Sequence, residues 1–221
     1  MPESTNSKSR FFIVLGMLLA PVTFLCVRYL DVPVALFVKY HFYANTTWSQ
    51  MTSTIPDLLL LVVLLSTVVS FLLYFTRSRK GIYDATTNLA RVVLWAAPSS
   101  YLAKTLLKIV FGRVNTRQFL EQPSLYGFHW FQMREHCEGF PSGHMLVIVA
   151  LLAALWRFYP KSRPLCLTVA LLLGVALVAT DYHFVSDVIV GAYVGALVEF
   201  AVFRLLFRHP LHLSSGRVPP P

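Results

Sequence analysis

Charge is scarce in this sequence. Ten residues are acidic and 19 are lysine or arginine, so charged residues make up only 13% of the 221. About a quarter of a soluble domain is charged, and a water-soluble globule is excluded on that ground. Cysteine is nearly missing as well. Cys26, Cys137 and Cys166 are an odd, scattered set, which excludes a disulfide framework and a compact zinc-ligand spacing. No extended basic patch exists either. The net charge of +9 is broken into short clusters between apolar runs, which excludes a nucleic-acid partner and suits the loops of a membrane protein. No internal repeat is visible. What the chain has in excess is apolar surface: 56% hydrophobic residues and a mean hydropathy of +0.62. The apolar residues fall in runs near the roughly 20 residues that cross a bilayer. The expected fold class is all-α, a polytopic membrane bundle of six transmembrane helices.

The polar stretch 1–10 is read as a disordered N-terminus, residues 11–208 as the six-helix membrane domain, and 209–221 as a disordered tail. The expected spans are Phe11 to Val27, Ile55 to Phe75, Leu89 to Phe111, His144 to Phe158, Leu165 to Ala179 and Ser186 to Phe207. The first has a basic flank, but it is long for a signal peptide and lacks a small-x-small cleavage site, so it reads as a retained helix. The run "DVPVALFVKYHF", Asp31 to Phe42, is short and carries Lys39 and His41, and it reads as a separate interfacial segment. A polar loop, 112–143, separates the third and fourth spans.

Positive charge sets the expected orientation. With the N-terminus inside, Lys8, Arg10, Arg77, Arg79, Lys80, Arg157, Lys161, Arg163, Arg208 and Arg217 all lie inside. Arg28, Lys39, Arg113, Arg117 and Arg134 lie outside. Inside wins about two to one, which puts both termini in the cytoplasm. Basic residues kept on the outer side then become candidates for function.

Residues from distant parts of the chain meet at that outer face. Lys104 and Lys108 are four apart and share one helix face. Arg113, Arg117, His129, Arg134 and His136 lie in the long loop. Pro141-Ser142-Gly143-His144 opens the fourth span. His183 and Asp187 follow the fifth as H-x-x-x-D. A helix start offers unpaired N–H groups and a positive dipole, and Gly143 lets an anion approach the backbone. With lysine and arginine nearby, this describes a phosphate cradle. The H-x-x-x-D spacing lets the carboxylate hold one ring nitrogen and direct the other, which suits a nucleophilic histidine. Two histidines with different neighbours can then divide the work of nucleophile and proton donor. Plainer readings stand beside these. Lys104 reads as a snorkelling helix-end lysine. Arg134 reads as a headgroup contact, His129-Trp130-Phe131 as an interfacial belt, and Asp181 has no clear partner.

These residues resemble the type 2 phosphatidic acid phosphatase superfamily, whose pattern has three parts. Pro141-Ser142-Gly143-His144 matches the second part in full, and His183 with Asp187 matches the end of the third. "KIVFGR" from Lys108 resembles the family's lysine-aliphatic-Gly-Arg run. The resemblance implies a six-helix membrane core that needs no metal or cofactor. It implies His183 as a nucleophile forming a phosphohistidine, Asp187 as its orienting carboxylate, and His144 as the acid for the leaving oxygen. Ser142, Gly143 and Lys108 would hold phosphate. Two departures stand out. Asn115 and Thr116 replace the first-motif Arg-Pro, where the flanking Arg113 and Arg117 are expected to substitute. Ala176 and Leu177 replace the third-motif Ser-Arg. The implied activity is hydrolysis of a lipid phosphate or diphosphate at the outer, in a bacterium periplasmic, surface. Lipid phosphotransfer, non-catalytic lipid binding or transport, and a metal-dependent hydrolase are the alternatives.

Overall fold

The computed structural model describes residues 2–42, 55–131 and 138–207. All the regular elements there are helical: α1 (Pro2–Leu25), a π-helical turn (Cys26–Leu30), α2 (Asp31–Phe42), α3 (Ile55–Arg79), α4 (Ala85–Phe111), α5 (Thr116–Glu121), α6 (Gly143–Phe158), α7 (Arg163–Ala179) and α8 (Val185–Phe207). The extended pairing among them is one isolated antiparallel bridge, Arg113 with Phe128. Local chemistry sets several boundaries. Asp84 caps α4 by accepting from the Thr87 N–H at 3.0 Å, and Gly112 ends it in the left-handed region at φ 52°. Asn115 caps α5 by accepting from the Gln118 N–H.

Among the described residues, four stretches are long and apolar enough to cross a membrane: Ser7–His41, Leu58–Arg79, Pro160–Ala179 and Val185–Phe207. The six expected runs are all helical, but the third and fourth differ in kind from the other four. Helix α4 carries Arg91, Lys104 and Lys108 along its length, and α6 has only 16 residues. Helix α6 is largely enclosed, and α4 buries one face against α3, α6 and α8 while Trp95, Leu102 and Leu106 stay exposed, so neither shows an apolar surface all round. Helices α3 and α7 expose Leu64, Leu65, Leu171 and Leu172 outward.

The first helix also differs from expectation. Asp31 to Phe42 does not form a separate segment: it continues α1 through the π turn, in which the Asp31 N–H donates to the Cys26 carbonyl. The resulting 35-residue stretch is about 50 Å long, well beyond a hydrocarbon core of roughly 30 Å. Lys39 anchors its far end by donating to the Leu120 carbonyl at 3.1 Å.

The core lies between α3, α4, α6 and α8. Leu59, Val63, Ala97 and Val147 form one cluster, and Val92, Ala96, Ala154 and Val202 a second. Helix α8 approaches α6 closely because Gly191 and Gly195 lack side chains. A Cβ on Gly195 would stand 2.3 Å from the Leu146 carbonyl oxygen. A third cluster, Ala35, Phe119 and Phe184, binds α2 and α5 to the turn before α8. The end of α4, the starts of α6 and α8, and the end of α7 therefore meet at one end of the bundle.

Candidate active site

A cavity of about 620 Å³ opens at that end, lined by Lys104, Lys108, Arg117, Gly143, His144 and His183, with Asn115, Gln118, Glu121, Glu138, Tyr182 and Leu59 completing the wall. The two motif histidines face each other across it, with ring centroids 6.3 Å apart. Their elements are stitched together, since the Ser142 N–H donates to the Asp187 carbonyl at 3.0 Å. Pro141-Ser142-Gly143-His144 and the His183/Asp187 pair thus share one site.

His183 is buried, and its Nδ1 lies 3.6 Å from Asp187 Oδ2. That is long for a hydrogen bond, and Nδ1 has no other partner. Burial pushes the imidazole below its ordinary pKa; Asp187 opposes this and Lys108 adds to it. The neutral ring is the form that can attack. Asp187 is fully buried. Its Oδ2 accepts from the Phe184 N–H at 2.9 Å, and its Oδ1 from Arg113 Nη1 at 2.6 Å. The turn carrying His183 hangs from Leu177, whose carbonyl accepts from the N–H groups of Tyr182 and His183 at 3.0 and 3.1 Å. Leu177 therefore supplies backbone support where the family pattern has a cation.

Ser142 is buried and caps α6, accepting from the Met145 N–H at 3.4 Å. Gly143 and His144 reach the cavity directly. Arg113, expected as a phosphate ligand, lies elsewhere. It is 1% exposed, is not part of the cavity wall, and is bound by Asp31, Ser186, Asp187 and Tyr126. Lys104, read from sequence as snorkelling, lines the cavity instead. Its stem crosses Gly143 so closely that a Cβ there would stand 2.7 Å from Lys104 Cδ. Lys108 pairs with Glu138 at 3.3 Å. Arg117 donates to the Thr180 carbonyl at 3.4 Å and lies 5.0 Å from the Tyr182 ring centre. Arg134, His136 and Cys137 lie outside the described residues.

Two residues were passed over in the sequence. Asp31 sits in an apolar run, and an acid there is itself a signal. Ser186 lies inside the His183–Asp187 motif, where its hydroxyl carries no pattern of its own.

The PAP2 superfamily profile matches residues 89–210, more than half of the chain. The chain belongs to the PAP2 superfamily. This region holds every cavity-lining residue except Leu59. A lipid A 1-phosphatase of Rhizobium johnstonii is 33% identical over 115 residues, which cover 49% of this chain and 47% of that protein. A lipid A 1-phosphatase of Rhizobium etli is 33% identical over 115 residues, covering 49% of each. The chain spans about half the length of the curated relatives it matches. No solved structure matches it. Of the two positions expected to depart from the family pattern, Asn115 lines the cavity and Leu177 does not, and the cations on the cavity wall are Lys104, Lys108 and Arg117.

Proposed function

We propose that this chain is an integral membrane phosphatase that cleaves a lipid phosphate through a phosphohistidine on His183, without a metal. Juxtaposition of the two histidines across one cation-lined cavity carries this reading. His183 Nε2 attacks phosphorus while Nδ1 turns to Asp187. The bond from phosphorus to the lipid oxygen breaks, and His144 gives its proton to that oxygen. His144 then takes a proton from water, the water oxygen bonds to phosphorus, and the N–P bond breaks to release inorganic phosphate. Lys104, Lys108 and Arg117 hold the negative oxygens through the transition state, with the start of α6. Lys104 and Arg117 take the place of the arginines missing at 115 and 177. The relatives favour a phosphorylated lipid A as substrate; phosphatidic acid, phosphatidylglycerol phosphate and polyprenyl diphosphate share the chemistry. The lipid enters sideways from the bilayer. Both termini lie in the cytoplasm and the site faces outward, into the periplasm in a bacterium.

Phosphate release from these four lipids by detergent-purified protein tests the reading. Wild type is expected to release phosphate with chelator present, and His183→Ala to fall to background. His144→Ala is expected to lose about 10²- to 10⁴-fold. Full activity in His183→Ala overturns the mechanism. Tight lipid binding without phosphate release favours the non-catalytic reading that Leu177 suggests. Phosphate appearing on an added lipid acceptor, not in solution, identifies a phosphotransferase, and loss on chelation identifies a metal enzyme.

A further inference from the structure

We propose that Asp31, on the first helix and outside the matched family region, is a positioning residue that sets the charge behind His183 by offsetting Arg113. The inference rests on His183 being the nucleophile.

The geometry is a buried hydrogen-bonded network. Asp31 Oδ2 accepts from Arg113 Nη2 at 2.7 Å and from the Ser186 hydroxyl, and its Oδ1 accepts from the Ser186 N–H at 3.0 Å. Arg113 Nη1 donates to Ser186 Oγ and to Asp187 Oδ1, both at 2.6 Å. Asp31, Arg113, Ser186 and Asp187 are each at most 1% exposed. Tyr126 closes the ring: its hydroxyl accepts from Arg113 Nη2 at 3.1 Å and donates at 2.6 Å to the carbonyl of Val27, in the π turn just before Asp31.

Charge counting gives this network its function. Arg113 with Asp187 alone would be neutral, and a neutral pair does little for a ring that becomes cationic as its nitrogen bonds phosphorus. Asp31 adds a second carboxylate, so the group carries one net negative charge within reach of His183. Asp31 also holds Ser186, the residue beside Asp187, by backbone and side chain together. A carboxylate placed only to hold the first helix against the bundle would not need to share a guanidinium with the carboxylate behind the candidate nucleophile. The other titratable or charged groups around His183 are Lys108 and Lys104 from α4, Arg117 and Glu121 from α5, Glu138 ahead of α6, His144 from α6, and the adjoining Tyr182 and Asp181. None of them changes in the test below.

The test compares kcat, KM and the kcat pH profile of wild type, Asp31→Asn and the double variant Asp31→Asn/Arg113→Gln, using the lipid phosphate that wild type cleaves. Folding is checked by thermal unfolding in detergent. Asp31→Asn is expected to lower kcat at least about tenfold with KM within about twofold. Removing the negative charge makes the imidazole harder to protonate, so the acid limb moves to lower pH by about half a unit or more. The double variant carries the same net charge as wild type, and its acid limb returns to the wild-type position. An unmoved acid limb in Asp31→Asn, or a rise in KM with kcat intact, overturns the proposal. If Asp31→Asn does not fold, the double variant decides alone: an acid limb displaced from wild type by half a unit or more overturns it, and one in place upholds it. Failure of the underlying mechanism shows separately, as a wild type without activity or a His183→Ala variant that keeps it.

Discussion

Among the described residues, two largely buried ion clusters lie along α8, one at its start and one toward its far end. Asp187 and Glu199 are 12 residues apart on that helix, about 18 Å. At the far end Arg157 meets Glu199 through two parallel bonds, both 2.7 Å, and lies 4.0 Å from the Phe203 ring centre. One cation meets one anion there. At the near end one guanidinium serves two carboxylates, and a histidine stands 3.6 Å from one of them beside a cavity. A balanced pair is the cheaper way to bury charge; an unbalanced one costs more and needs a use. The difference separates a fastener from a site, although both look alike as isolated arginine–carboxylate contacts.

Breaking the balanced pair gives the largest stability effect. Arg157→Ala leaves Glu199 buried without its partner, and a cost of about 3–5 kcal/mol is expected. Thermal unfolding in detergent measures it. Turnover per folded molecule should stay within about twofold, because Arg157 sits some 20 Å along α6 from His144. A large drop in turnover with the fold intact would erase the distinction between the two ends.

Asp181 sharpens the comparison, as a carboxyl buried near the site with no balanced partner. It is 4% exposed, adopts φ 48°, and its Oδ1 has no hydrogen-bond partner. Burial raises its pKa from 3.8 to about 7, while Arg117 and Lys39 pull the other way. The folded chain therefore favours the protonated form. Stability from this group is present below the unfolded value near 3.8 and is lost as pH rises toward 7. Asn tolerates the same backbone, so Asp181→Asn removes the charge without new strain. The variant should match wild type near pH 4 and be more stable at pH 8, by at most about 4 kcal/mol. Unfolding curves at the two pH values check this, and an equal gain at both would show that charge is not the cause.

How far the sequence discloses all this depends on the range of each interaction. The outer helices are legible because a lipid-facing run is apolar at every position. The His183/Asp187 pair is legible because four residues span one helical turn. Asp31 and Arg113 are 82 residues apart, and no local pattern records that they meet. Without that knowledge an arginine beside the motif lysine reads as a phosphate ligand, and Asp31 reads as the start of a new segment. Lys104 fails for a related reason. Whether a helix-end lysine turns to water or into a cavity is decided by the space over Gly143, on another helix.

That space supplies the smallest and most specific expectation. A methyl group on Gly143 would press on the Lys104 stem at 2.7–3.0 Å, and a flexible stem can move aside. A methyl group on Gly191 would instead meet the Ser142 carbonyl oxygen at 2.6 Å, which is backbone and cannot. The same substitution should therefore act differently at the two glycines. Gly191→Ala should cost about 1–3 kcal/mol of stability, as overpacking does. Gly143→Ala should leave the unfolding temperature nearly unchanged and raise KM about fivefold, roughly 1 kcal/mol of phosphate binding, by displacing the Lys104 ammonium. If Lys104→Met leaves KM unchanged, the lysine is not a ligand and any effect of Gly143→Ala comes from the backbone of the cradle. The positive side of the site then narrows to Lys108 and Arg117, and the substitute for the missing arginines has to be sought in Arg117 alone.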